Sequence, residues 1–169
     1  DFVWSKGGKQ IQFLNQDIDD WTITFVETGA NATIGERLKA VEPFLRGEEM
    51  FIANYGAGLS DIPLTAMIET FRHSGAIASL LLVQPTASFD IVHTQPGGMV
   101  SDICPLSGSD IWINGGFFTL RKEIFQHIHP GDELVREPFQ RLIKEKALLA
   151  YNYTGFWQCM DTFKDKQRL

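Results

Sequence analysis

Apolar positions along the chain switch between a period of two and a period of 3.6, which predicts strands and helices in alternation and so an α/β fold. Ile11 to Leu14 and Trp21 to Glu27 read as strands, the second alternating Trp21, Ile23 and Phe25 against threonines and Val26. Thr33 to Leu45 reads as a helix with Leu38, Val41 and Leu45 on one face and Gly47 beyond its end. Met50 to Asn54 predicts a short strand that runs into Tyr55-Gly56-Ala57-Gly58. Asp61 is then expected to cap a helix carrying Leu64, Met67, Ile68 and Phe71 on one face and stopped by Gly75. Ala78 to Val83, apolar on both faces, is the expected central parallel strand.

After Pro85 the rhythm shortens. Phe89 to Thr94, Met99 to Ile103 and Ile111 to Leu120 are expected strands separated by turns at Pro96-Gly97-Gly98 and Ser107-Gly108, so part of the sheet should be mixed. Helices are predicted at Lys122 to Ile128 and at Glu137 to Lys146, the latter burying Phe139, Leu142 and Ile143. A strand at Leu148 to Tyr153 and a helix from Asp161 follow. With no repeat and no low-complexity linker, residues 1–169 read as one domain. In open α/β sheets ligands sit beyond the carboxyl ends of strands, so the strand, glycine loop and helix around 55–61 mark where a bound molecule is expected.

Composition narrows the function classes. A 44% hydrophobic, 21% charged chain can bury a core, and a net charge of −6 argues against a broad nucleic-acid or anionic-membrane surface. The longest apolar run is too short for a bilayer and no signal-peptide layout opens the chain, so a cytoplasmic location is expected. Cys104 and Cys159 are too few for a disulfide framework or a Cys-type zinc site and read as reduced thiols. His127 and His129, with His73 and His93, suggest metal ligands, but His127 and His129 stand at an expected helix end without a Cys or acidic partner nearby in sequence, and no zinc site is expected. Trp4, Trp21, Trp112 and Trp157 read as core or interface aromatics, because no basic residues interleave with them.

Several motifs stand in a telling order: Thr28-Gly29, Gly35-Glu36-Arg37-Leu38-Lys39, Tyr55-Gly56-Ala57-Gly58-Leu59-Ser60-Asp61, Ile113-Asn114-Gly115-Gly116-Phe117-Phe118, Glu137-Pro138-Phe139 and Gly155-Phe156-Trp157-Gln158-Cys159-Met160-Asp161-Thr162-Phe163-Lys164-Asp165-Lys166. From about Trp21 onward they make the chain resemble the later two-thirds of a glucose-1-phosphate cytidylyltransferase. The resemblance implies a Rossmann-like nucleotidyltransferase sheet, mostly parallel and partly mixed, flanked by helices. The implied reaction is attack of a sugar phosphate oxygen on the α-phosphorus of CTP, with release of pyrophosphate. Its barrier is mainly electrostatic and is lowered by backbone N–H groups, cations and a carboxylate-held Mg²⁺.

The resemblance implies substrate contacts at Arg37, Asn114, Gly115, Glu137 and Asp161, with a sugar phosphate or nucleotide sugar as partner. Each position has a plainer alternative: a solvated helix arginine for Arg37, a β-bulge at Asn114-Gly115-Gly116, a favourable helix-start charge for Glu137 and a helix cap for Asp161. Four departures bear on the chemistry. The family's N-terminal phosphate loop has no counterpart: Lys6-Gly7-Gly8-Lys9 has only five residues before it and a strand after it and reads as a polar turn, so N-terminal truncation relative to the family is expected. Ala57 stands for a metal-binding Asp, leaving Asp161 as half of a Mg²⁺ site. Cys104 stands for a Lys, and Asp90 for a Gly near the phosphates. These losses predict an impaired nucleotidyltransferase site. Two other readings remain open: a non-catalytic sugar-nucleotide-binding or regulatory module, and a structural subunit, homo-oligomer or segment of a longer enzyme.

Overall fold

The computed structural model describes residues 2–14, 22–85 and 89–168. Its organising strand is β5 (Ala78–Val83), buried on both faces as its continuous apolar run requires. On one side β5 pairs in parallel with β9 (Leu148–Tyr153), from Ala78 opposite Leu148 to Val83 opposite Tyr153. On the other it pairs antiparallel with β8 (Ile113–Arg121), which also pairs antiparallel with β3 (Met50–Asn54). The order β3-β8-β5-β9 therefore has three strands running one way and one reversed. The sheet is mixed because the chain returns to it through β8.

Alternation along the strands divides the core between the two faces. Ala78, Phe118 and Leu120 pack with Ile124 and Phe125 of the 3₁₀ turn Lys122–Gln126 and with Phe139 and Leu142 of helix α3 (Glu137–Lys144). Leu81 and Val83 face the other way, against Ile62 and against Met67 of helix α2 (Leu64–Arg72). Burying Phe139 and Leu142 contributes about 1.5–3 kcal/mol each. Ile143, expected in the same stripe, is exposed, because α3 ends at Lys144 and offers the sheet only the Pro138, Phe139 and Leu142 side. Arg121 closes α2: its Nε donates to the carbonyl of Ala76 at 3.0 Å and Nη2 to those of Arg72 and Ser74 at 3.2 Å each, with the guanidinium 5.0 Å from the centre of the Phe71 ring.

Helix α1 (Ile34–Val41), continued by a 3₁₀ turn at Glu42–Leu45, begins with a capping box in which Thr33 and Glu36 exchange side-chain and backbone hydrogen bonds. This end docks on residues 131–133. The Thr33 hydroxyl donates to the Asp132 carbonyl at 2.6 Å, and Gly131 N–H donates to Glu36 Oε1 at 3.0 Å. Buried Asp132 is paired with Arg141 from α3, and its carboxylate accepts the His129 N–H at 2.8 Å.

Outside the main sheet lie three two-stranded pieces. β1 (Phe2–Ser5) and β2 (Gln10–Phe13) form a hairpin whose polar turn is Lys6-Gly7-Gly8-Lys9; the few residues before the turn do form a strand, because β2 supplies its hydrogen-bonding neighbour, and the element that follows is a strand and not the helix a phosphate loop needs. Trp4 on this hairpin is exposed and not a core residue. β6 (Asp90–Thr94) and β7 (Val100–Pro105) form a second hairpin around Gly97 and Gly98, both at positive φ, and do not join the main sheet as expected. β4 (Gly58–Ser60) and β10 (Trp157–Cys159) pair antiparallel across a long sequence separation that periodicity cannot reveal. Among the described residues, 22–27 pair with no strand, contrary to expectation, and Phe25 is 90% exposed; alternation cannot by itself supply the hydrogen-bonded neighbour a strand needs. Trp21 lies outside the described residues.

Candidate functional site

The register of the main sheet gathers three of the quoted motifs at one edge. Asn54 lies opposite Phe117, Val83 opposite Ile113 and Tyr153 opposite Val83, so the carboxyl ends of β3, β5 and β9 and the amino end of β8 share that edge. The glycine loop 55–61, Asn114 to Gly116 and the segment 153–161 all leave from it, at the place where an open α/β sheet binds ligands.

Specific hydrogen bonds fasten these three segments together. Tyr55 N–H donates to the Gly116 carbonyl at 3.0 Å, and the indole Nε1–H of Trp157 donates to the Gly115 carbonyl at 2.8 Å. Met160 N–H donates to the Ala57 carbonyl at 2.9 Å, extending the β4–β10 ribbon to the residue before Asp161. The Ser60 hydroxyl donates to the Phe156 carbonyl at 2.8 Å. Asp61 does not cap α2. Pro63 stands at the cap position and the helix starts at Leu64, which puts Asp61 out of reach of the first free N–H groups, and its carboxylate instead accepts the Tyr153 hydroxyl. That bond, then burial, raises the Tyr153 pKa.

Asn114 to Gly116 form the β-bulge that was the plainer alternative, since pairing with β5 slips between Leu80 and Leu82. Both glycines answer to packing. A Cβ on Gly115 would lie 2.9 Å from Leu81 Cδ2, and one on Gly116, where φ is +76°, would lie 2.6 Å from Tyr55 Cδ2. Asn114 Oδ1 accepts the Gly116 N–H at 2.9 Å and the side chain also bonds the Tyr55 hydroxyl. Burial, opposed by that bond, pushes the Tyr55 pKa up.

The remaining expected site residues separate into two groups. Asp161 sits at the edge beside the ribbon and is not the helix cap. Helix α4 (Phe163–Arg168) is capped by Thr162, which accepts the Asp165 N–H at 3.2 Å while Asp165 Oδ2 accepts the Thr162 N–H at 3.0 Å. Burial, and then a hydrogen bond to Asp161, raises the pKa of the Cys159 thiol. Arg37 and Glu137 each hold bonds to the framework. Arg37 donates to the carbonyls of Ala32 at 3.0 Å and Ala30 at 3.2 Å, bracing its own loop. Glu137 accepts the Glu133 N–H at 2.9 Å at the start of α3, a bond that with its own backbone N–H lowers its pKa. Asp90 and Cys104 lie on the β6–β7 hairpin, which rises from the same edge after β5 and returns to it before β8.

No family model matches the chain. It is 30% identical over 167 residues to the glucose-1-phosphate cytidylyltransferase of Salmonella typhi and 29% identical over 167 residues to that of Salmonella typhimurium strain LT2; each match covers 98% of this chain and 65% of the relative. The chain thus spans just under two-thirds of the length of these curated relatives, and the similarity includes residues before Trp21, where none was expected. Among solved structures it superposes on a protein from Bacillus anthracis assigned as a glucose-1-phosphate thymidylyltransferase, in complex with a sucrose. The TM-score is 0.59 at 18% identity, over 83% of this chain and 61% of that one. HddC from Yersinia pseudotuberculosis superposes with a TM-score of 0.53 at 18% identity, over 80% and 60%. The fold is the Rossmann-like α/β sheet of the sugar nucleotidyltransferases, and the resemblance carried by the motifs holds along nearly the whole chain.

Proposed function

We propose that this chain forms the sugar-phosphate side of a cytidylyl-type sugar nucleotidyltransferase, binds a sugar phosphate or nucleotide sugar at the sheet edge, and is impaired in catalysis. The family reaction joins CTP and glucose 1-phosphate into CDP-glucose: the sugar phosphate oxygen bonds to the α-phosphorus, the α–β phosphoanhydride breaks and pyrophosphate leaves. The observation that carries the reading is the convergence of 55–61, 113–116 and 153–161 on one edge, with Asp161 next to Met160, whose N–H meets Ala57.

A resident Mg²⁺ does not fit this donor set. Mg²⁺ needs hard oxygen ligands, and position 57, whose carbonyl meets the N–H of the residue before Asp161, carries a methyl where the family pattern has a carboxylate, while Asp61 is held by Tyr153. Asp161 instead offers an acceptor to a sugar hydroxyl, which requires no metal. The Asn114 bulge and the Trp157 bond to Gly115 hold the backbone of this edge in place. Among the expected contacts, Asp161, Asn114 and Gly115 stand at the ligand edge, while Arg37 and Glu137 serve the framework. Cys104 and Cys159 are free thiols, consistent with work in the cytoplasm. Among the described residues no helix is long and apolar enough to cross a membrane.

The test is a thermal-shift titration with CDP-glucose and with glucose 1-phosphate, each with and without Mg²⁺. At a ligand concentration a hundredfold above Kd, binding stabilises by about 2.7 kcal/mol, or roughly 5–10 °C for a chain of this size. A saturable shift that ignores Mg²⁺ is expected. No shift with either ligand refutes binding, and CDP-glucose formed from CTP, glucose 1-phosphate and Mg²⁺ refutes the impairment. A second reading, a segment covered by more chain or by a second copy, is favoured by the exposure of Phe25, Phe89, Met99 and Phe163. Sedimentation at several concentrations tests it: self-association or aggregation supports it, and a stable monomer that binds ligand counts against it.

A further inference from the structure

We propose that His93, Asp102 and Cys104, on one face of the β6–β7 hairpin, form a binding site for a divalent transition-metal ion of the zinc class. The hairpin register makes the site. His93 lies directly opposite Asp102, and Cys104, two residues further along β7, projects from the same face because strand side chains alternate with a period of two. The Gly97 and Gly98 turn fixes that register, and a bulge between His93 and Thr94 adds local twist where the imidazole leaves the strand.

The donor atoms, an imidazole nitrogen, a carboxylate oxygen and the thiol sulfur, all lie within 4.8 Å of one another. An ion at the centre of a triangle of that side is about 2.8 Å from each corner, against bonded distances of about 2.0–2.3 Å, so small side-chain rotations complete the contacts. Mixed nitrogen, oxygen and sulfur donors suit Zn²⁺ and its Co²⁺ surrogate and disfavour Mg²⁺. Three protein ligands leave a fourth tetrahedral position, and because His93 and Asp102 are exposed, water fills it. The thiol must lose its proton to ligate, so affinity falls as pH falls.

Sequence spacing concealed this site, since His93 stands nine positions before Asp102 and no Cys-x-x-Cys or His-x-His pattern announces it. The proposal is independent of nucleotide-sugar binding at the sheet edge.

The experiment titrates the full chain with Co²⁺, follows thiolate-to-cobalt charge-transfer absorption, and then displaces the cobalt with Zn²⁺. The wild type is expected to develop the band at one equivalent and lose it to Zn²⁺. Cys104→Ser should abolish the band, His93→Gln and Asp102→Asn should each weaken binding by at least about tenfold, and Cys159→Ser should leave it unchanged. Far-ultraviolet circular dichroism checks that each variant is folded, and the three ligand positions give three independent chances to keep the test valid. Absence of the band in the wild type, its persistence in Cys104→Ser, its loss in Cys159→Ser, or unchanged affinity in folded His93→Gln and Asp102→Asn overturns the proposal.

Discussion

Replacing Gly35 with alanine sets two opposing effects against each other, and the packing of α1 decides between them. In a helix, alanine is favoured over glycine by up to about 1 kcal/mol. At Gly35, however, the added Cβ would lie 2.4 Å from the Asp132 carbonyl oxygen, 3.3 Å from its carbon and 3.5 Å from Ile128 Cγ2. Ordinary contact begins near 3.5 Å, so the first turn of α1 must retreat by about 1 Å. That retreat loosens the bonds that dock it: Thr33 to Asp132 at 2.6 Å, Gly131 to Glu36 at 3.0 Å and Ile34 to Glu133 at 3.3 Å. Overpacking costs about 1–3 kcal/mol and each lost hydrogen bond about 0.5–1.5 kcal/mol. After the propensity gain is subtracted, Gly35→Ala is expected to destabilise by about 2 kcal/mol, lowering Tm by roughly 4–8 °C. Urea unfolding followed by tryptophan fluorescence measures it. A variant as stable as the wild type, or more so, would show that helix propensity rather than docking governs this position.

At the bulge, Gly116→Ala combines a positive φ with a contact to Tyr55, so a loss of about 2–4 kcal/mol in denaturant unfolding is expected, and a change within about 0.5 kcal/mol would contradict it. Hydrogen bonds from Arg141 first, and from the His129 N–H next, hold the Asp132 pKa below the ordinary 3.8. A depressed carboxylate pKa contributes stability above the unfolded-state value that is lost as pH falls through the folded-state value. The stability gap between wild type and Asp132→Asn should therefore stay level at neutral pH and close below the ordinary carboxylate range; a gap that does not change with acidification would refute the pairing. Ala57→Asp places a second carboxylate beside Asp161 and should make the CDP-glucose thermal shift dependent on Mg²⁺; if the shift is the same with and without the ion, the two positions do not converge on a cation.

The chain itself determined the elements whose signals are local. β5 follows from a continuous apolar run between turn signals, α1 from Leu38, Val41 and Leu45 at helical spacing, and the turn between β6 and β7 from Gly97 and Gly98. The motif order also carried the relationship, and the similarity to the curated relatives extends over 167 residues. Tertiary structure decided whatever depended on a neighbour distant in sequence. Pairing of β4 with β10 brought Ala57 to Asp161, and docking of 131–133 on α1 explained Gly35, which sequence reading had absorbed into a substrate motif. Arg37 and Glu137 found framework partners, and Asp61 found Tyr153 instead of the helix it was expected to cap, since a polar side chain takes the donor or acceptor that folding brings nearest. His93, Asp102 and Cys104 met for the same reason: a hairpin register, and no linear spacing, decides which side chains share a face.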